Sequence, residues 1–292
     1  MRGGDAPRST SESELHGLAT RVRPAVGEPR ATVVFVHGAM DVGTSFSRVM
    51  RRLGDFETAA YDRRGYGDSA GSATDASHRV TRGITEGGAL DSHASDLRRI
   101  VGSLAQRQPD LPVVVVGHSL GGLIALMAAS SGDAPLCDAV LAFEAPLPWT
   151  DAGRETSGAR TIEHGRSHGD PAAAEFFYRS VMGDQAWERL DATTRERRRA
   201  EGGTLLAELV DARRPRVLPL PAGGALLSVA VAERGPSHLH RAAALLARAG
   251  GTTVRTVQGA GHGAHLSTPG RYSEWVRDCA ELLVAPRDPV AP

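Results

Sequence analysis

The chain has 292 residues, with 34 basic side chains, all of them arginine, against 34 acidic ones, so its formal net charge is zero. That balance gives no electrostatic reason to expect nucleic acid or an acidic membrane as partner. Hydrophobic residues make up 41% and charged residues 23%, the composition of a globular protein long enough to bury a core without staples. The two cysteines, Cys137 and Cys279, form neither a disulfide framework nor a metal-ligand set.

Residues 1–14 read as a polar, frayed start without the apolar segment of a signal peptide, and no apolar run is long enough to span a bilayer. With isolated, buried-type cysteines, this points to a cytoplasmic protein. A weak early strand is expected at 15–23. Strands and helices then alternate: a strand Thr32–Val36 ending in His37-Gly38, a helix 44–53, a strand Glu57–Tyr61 ending in Asp62, and a helix 89–106 whose apolar residues recur at helical spacing. A strand 113–116 runs into a helix 120–130. Further strands follow at Ala139–Phe143, 225–232 and 252–257, with helices at Ser237–Ala249 and 271–283. Apolar strands separated by helices predict an α/β fold, a mostly parallel sheet flanked by helices on both faces.

Residues 146–219 break that rhythm. They are polar, Arg-rich and helical in pattern (171–182, 184–190, 193–213), with no strand candidate. The expected organisation is a core formed by 1–145 and 220–292, with 146–219 inserted as a helical lid. The run Arg195-Glu196-Arg197-Arg198-Arg199 reads as a solvated helix face rather than a nucleic-acid patch, because acids are interspersed and the balance is neutral.

The most informative stretch is Val113-Val114-Val115-Val116-Gly117-His118-Ser119-Leu120-Gly121-Gly122, where an apolar run meets a G-x-S-x-G turn and helix formers follow at once. Strand, tight turn and helix are what that motif needs to hold a serine hydroxyl outward. A serine hydroxyl is a poor nucleophile without a neighbouring base. Candidates for the base lie in Gly259-Ala260-Gly261-His262, after the last strand, with His265 three residues on as the rival.

Four segments resemble the α/β-hydrolase superfamily: Val33-Val34-Phe35-Val36-His37-Gly38-Ala39-Met40, Tyr61 to Ser69 around Gly65 and Gly67, the G-H-S-L-G-G elbow, and Gly259 to His262, each at a predicted strand end and in the family's order. The resemblance implies Ser119 as nucleophile and His262 as base. It departs at the acid. Where the family usually places an Asp, this chain has Gly235, within Glu233-Arg234-Gly235-Pro236. A second location, the tip of the strand after the elbow helix, carries Glu144 and is similar to a variant in some haloalkane dehalogenases. Glu144 is therefore the expected acid, with Glu233 the alternative. Its apolar neighbours support this, since a carboxylate in such surroundings needs a partner.

The expected oxyanion donors are the backbone N–H of Leu120, at the positive end of the elbow helix, and by resemblance that of Ala39, with Met40 the alternative. His37 and His118 are read as packing residues, and the loop 62–69 as a structural turn outside the chemistry. Trp149 and Phe177 are candidates for the substrate pocket. The expected activity is a serine hydrolase acting on a small-molecule acyl substrate, a carboxylic ester, thioester or lactone, with no metal and no cofactor. A carbon–carbon bond hydrolase, a perhydrolase or a non-catalytic ligand-binding relative remain the alternatives. The sequence leaves the oligomeric state open.

Overall fold

Both faces of each central apolar run are covered, and the run therefore carries no polar alternation. The computed structural model describes residues 11–70, 88–131, 134–151 and 156–284. Within it, Val113 and Val115 point into one hydrophobic cluster and Val114 and Val116 into another, as do Val34 and Val36 against Val33 and Phe35. This is the period-two signature of strands sandwiched between two helical layers.

The strands are β1 (Ser11–Leu15), β2 (Leu18–Arg23), β3 (Thr32–Val36), β4 (Glu57–Tyr61), β5 (Val113–His118), β6 (Ala139–Phe143), β7 (Leu226–Ala232) and β8 (Val254–Val257). They form one eight-stranded sheet in the order β1-β2-β4-β3-β5-β6-β7-β8. The β1/β2 and β2/β4 pairs are antiparallel and the others parallel. From β3 the chain first steps to β4 on one side and later to β5 on the other. The loops leaving the ends of β3 and β5 therefore part at a topological switch point, where open α/β sheets leave a crevice.

The early strand expected at 15–23 is a hairpin. His16 and Gly17 both have positive φ (55° and 78°), the two-residue turn that suits the twist of antiparallel strands. Strand structure thus begins at Ser11, inside the segment expected to fray, while residues 1–10 lie outside the described residues. The helix expected at 44–53 is a 3₁₀ turn, Gly43–Phe46, followed by one α-helical turn, Ser47–Met50.

Between β6 and β7 the described residues form five helices: Ser157–His168, Asp170–Met182, Asp184–Glu188, Ala192–Ala200 and Gly202–Ala212. The sequence pattern misses the first and fuses the last two. At the division the Gly202 backbone packs directly on Asp170, whose carbonyl oxygen a Cβ would overlap. Buried carboxylates pin this insertion to the core. Glu208 (fully buried) pairs with Arg63, accepts from Tyr66 Oη at 2.7 Å and lies 2.6 Å from His93 Nε2. Asp211 accepts from the Leu90 backbone at 2.9 Å. No helix among the described residues is long and apolar enough to cross a membrane.

Candidate active site

Ser119 stands between the end of β5 and the helix Leu120–Ala129, with φ 53° and ψ −125°, a backbone state that L-residues rarely adopt. Glycine is obligatory on both sides. A Cβ on Gly117 would overlap the Gly121 carbonyl, and one on Gly121 would overlap the Val36 carbonyl. Strand, helix and the β3 loop thus approach within backbone contact around the serine. Among the described residues, four non-glycine residues have positive φ: His16 in the hairpin, and Met40, Ser119 and Glu144 around this crevice. Each such residue costs on the order of 1–3 kcal/mol, which the surrounding packing must offset.

His262, in the loop after β8, places Nε2 3.2 Å from Ser119 Oγ and Nδ1 2.5 Å from Glu144 Oε2. Glu144 is fully buried at the tip of β6; its other oxygen accepts from the Ala232 backbone at 3.1 Å. Gly235 lies against it, and a Cβ there would overlap Glu144 Oε1. The position where the family's Asp was missed is thus the space the Glu144 carboxylate occupies. Glu233 turns away and accepts from the Gly259 backbone at 2.8 Å. His265 pairs instead with Asp41 at 3.2 Å.

Ala39 and Leu120 line the cavity beside Ser119, and among the described residues no acceptor is bonded to the N–H of Ala39, Met40 or Leu120. The loop carrying Ala39 and Met40 is braced from below. Arg63, fully buried, donates through Nε to the His37 carbonyl and through Nη2 to the Gly38 carbonyl, both at 3.0 Å. The 62–69 turn therefore does more than punctuate the chain, and nothing in the sequence signals it beyond Arg63's place two residues past the end of β4. His37 donates through Nδ1 to Gly38 O and accepts the Arg63 backbone N–H, both at 2.8 Å. That pattern fits a neutral ring, and burial, reinforced by Arg63, lowers its pKa to about 3. His118 is also neutral, lowered well below the usual value by burial and then by His265 and His262. Its Nε2–H donates to the His262 carbonyl at 2.8 Å, fixing the loop that carries His262.

Asp41, His118 and His265 bring one donor atom each within 4.8 Å of one another. Burial raises the Asp41 carboxyl, but the His265 hydrogen bond and charge outweigh it and hold it below the carboxylate range. The group is thus a carboxylate hydrogen-bonded to His265 Nε2, with the His118 ring beside it.

Two cavities open on Ser119 and His262. One, of about 330 Å³, is walled largely by apolar residues, among them Leu147, Phe177, Val181, Leu209 and Leu239. The other, of about 290 Å³, has Asp41, Thr44, Ser45, Arg198 and His265 in its wall. Phe177 lines both. Trp149, the other pocket candidate, lines neither. It packs against the main core cluster with the Arg216 guanidinium 5.8 Å from its ring centre.

A profile of the alpha/beta hydrolase family matches residues 33–275. The chain belongs to that family. A monoacylglycerol lipase of Mycolicibacterium smegmatis is 33% identical over 97 residues, 32% of this chain and 31% of the lipase, so the match spans about a third of that relative. An N-acyl homoserine lactonase bound to N-hexanoyl homoserine superposes with a TM-score of 0.68 at 17% identity, over 96% of this chain and 98% of the other. A thermophilic esterase from Thermogutta terrifontis gives 0.62 at 14% identity, over 95% and 100%. At these identities the superpositions show the fold, an eight-stranded hydrolase sheet with flanking helices.

Proposed function

We propose that this family member is a serine hydrolase that cleaves a carboxylic ester, thioester or lactone through an acyl-enzyme on Ser119. The observation that carries the reading is the continuous chain of contacts from Ser119 Oγ through His262 to the buried Glu144 carboxylate. His262 Nε2 takes the hydroxyl proton as Oγ bonds to the carbonyl carbon. Glu144 accepts the Nδ1 hydrogen bond and offsets the imidazolium charge. The oxyanion is held by the N–H groups of Leu120 and Ala39, or Met40 in place of Ala39. The imidazolium then returns its proton to the departing oxygen or sulfur. Water, deprotonated by the same imidazole, attacks the acyl-enzyme, and the released proton restores Ser119. Side chains, backbone and water supply every group in this scheme.

We assign the two cavities to the acyl and leaving portions of the substrate and the helices between β6 and β7 to a lid. Phe177 and Val181 of that segment stand over both cavities. The similarity to a monoacylglycerol lipase and to esterase folds supports ester substrates. A fluorophosphonate probe should label the wild-type protein at Ser119 and fail to label Ser119→Ala. Hydrolysis of 4-nitrophenyl esters should fall on the order of 10⁶-fold in that variant. Undiminished labelling or turnover in Ser119→Ala would remove the assignment.

A further inference from the structure

The basic run at 195–199 does not behave as one solvated face. Arg195 and Arg199 pair with Glu188 and Glu175 at the surface. Arg198 turns inward instead. Only 9% exposed, it stands in the wall of the smaller cavity with Ser119 and His262. Its Nη1 donates to Glu201 Oε2 at 3.0 Å, and its Nε–H is buried without a partner among the described residues.

A guanidinium is planar, and Nε–H and Nη2–H lie parallel along one edge, spaced for the two oxygens of a carboxylate. Glu201 engages the group through the other terminal nitrogen, so that edge remains. Burying a charged donor unpaired is costly, and a ligand acceptor removes the cost. The acids near Arg198 do not fill this role: Glu201 is already bonded through Nη1 and also accepts the Gly67 N–H, while Asp41 is paired with His265. Tyr178 completes the neighbouring wall.

We propose that the smaller cavity, with Arg198 in its wall, is a carboxylate subsite, in which Arg198 grips a free carboxylate of the substrate while Ser119 attacks an ester elsewhere in the same molecule. The substrate class is then a carboxylate-bearing ester, with the charge on either the acyl or the alcohol portion. This rests on the serine-hydrolase reading and narrows it.

The test uses matched pairs. On the acyl side, 4-nitrophenyl hemiesters of succinate, glutarate and adipate are compared with the same esters capped as methyl esters. On the alcohol side, 3-(4-acetoxyphenyl)propionate is compared with its methyl ester, where the methylenes insulate the leaving group. The wild-type protein should favour the charged member of at least one pair by about tenfold or more in kcat/KM. In Arg198→Met that ratio should collapse towards one, and Arg198→Lys, a point charge without the fork, should fall between. Equal rates in every pair, or a preference that survives Arg198→Met, would overturn the subsite. Should no ester turn over and no fluorophosphonate label Ser119, the hydrolase reading fails by itself. The subsite is then judged by calorimetric titration of Ser119→Ala with glutarate, where binding that Arg198→Met abolishes supports it and no binding refutes it. Arg198→Lys guards against misfolding, since it keeps the charge facing Glu201.

Discussion

In the proposed triad, Glu144 and Gly235 divide between them what one acidic residue does elsewhere in the family's pattern. Gly235 has no positive φ that would demand glycine; what forbids a side chain is the Glu144 carboxylate in its Cβ space. The departure at 235 was visible in the sequence, but its cause was not, because the two residues meet only when β6 and β7 pair. Glu144→Gln should lower kcat for a simple ester by roughly 10³–10⁴, as loss of a triad acid does. Glu233→Gln, altering a carboxylate that holds only the Gly259 backbone, should change it less than about tenfold. Gly235→Asp alone should be severely impaired, and combining it with Glu144→Gly should recover activity above either single variant. Steady-state kinetics on the four proteins decides this; a double variant no better than the worse single would mean that the two sites are not interchangeable sources of the carboxylate.

At the scale of elements, the parts of the fold set by local periodicity were legible. The helix Ser237–Ala249 and the strands Thr32–Val36, Glu57–Tyr61 and Ala139–Phe143 have the bounds their patterns predict. The insertion was legible as helical but not in its joints, because the backbone at the break before Gly202 packs on a neighbour some thirty residues away, Asp170. Its attachment was equally hidden, since Arg63 and Glu208 lie 145 positions apart. That attachment ties the insertion to the catalytic loop, for the guanidinium that meets Glu208 also holds the His37 and Gly38 carbonyls. Glu208→Gln preserves shape and removes the counter-charge. It should destabilise the protein by about 3–5 kcal/mol, the cost of stranding a buried cation, and lower kcat more than it raises KM, because the loop bearing Ala39 loses its brace. Urea unfolding and kinetics on the folded fraction measure the two effects. An unchanged kcat would confine Glu208 to stability.

At the scale of the whole molecule, the mostly parallel sheet could be read from the alternation of apolar strands and helices, whereas the strand order that puts the switch between β3 and β5 depends on pairing across the sheet. The charge state of the interior could not be read either, because it depends on burial. His37, His93 and His118 are all buried, and burial lowers all three pKa values, helped by Arg63 for His37 and His93 and by His265 for His118. His93 is held low even beside Glu208, whose attraction is outweighed by burial and Arg63. Unfolding returns each ring to a pKa near 6.5, so below that pH the unfolded chain binds protons that the folded one refuses. Stability is then fully present above about pH 6.5 and falls as pH drops, by about 1.4 kcal/mol per pH unit for each ring until its folded pKa is reached. Glu208 adds a second regime. Burial raises it, but Arg63 and His93 outweigh burial and hold it at about 2, so its contribution is present above the ordinary carboxylate pKa and lost as pH falls from about 4.5 toward 2. At pH 5 the buried histidines dominate the exchange, and unfolding should take up about two protons from His37 and His118 and a further share from His93. Calorimetry in buffers of different ionisation enthalpy reads that number directly. In His37→Gln, which keeps a donor and an acceptor but cannot titrate, the uptake should drop by about one. An uptake below one proton in the wild-type protein would mean that these rings are already charged in the folded state, and the neutral hydrogen-bond pattern that joins Arg63, His37 and the Gly38 carbonyl would have to be redrawn.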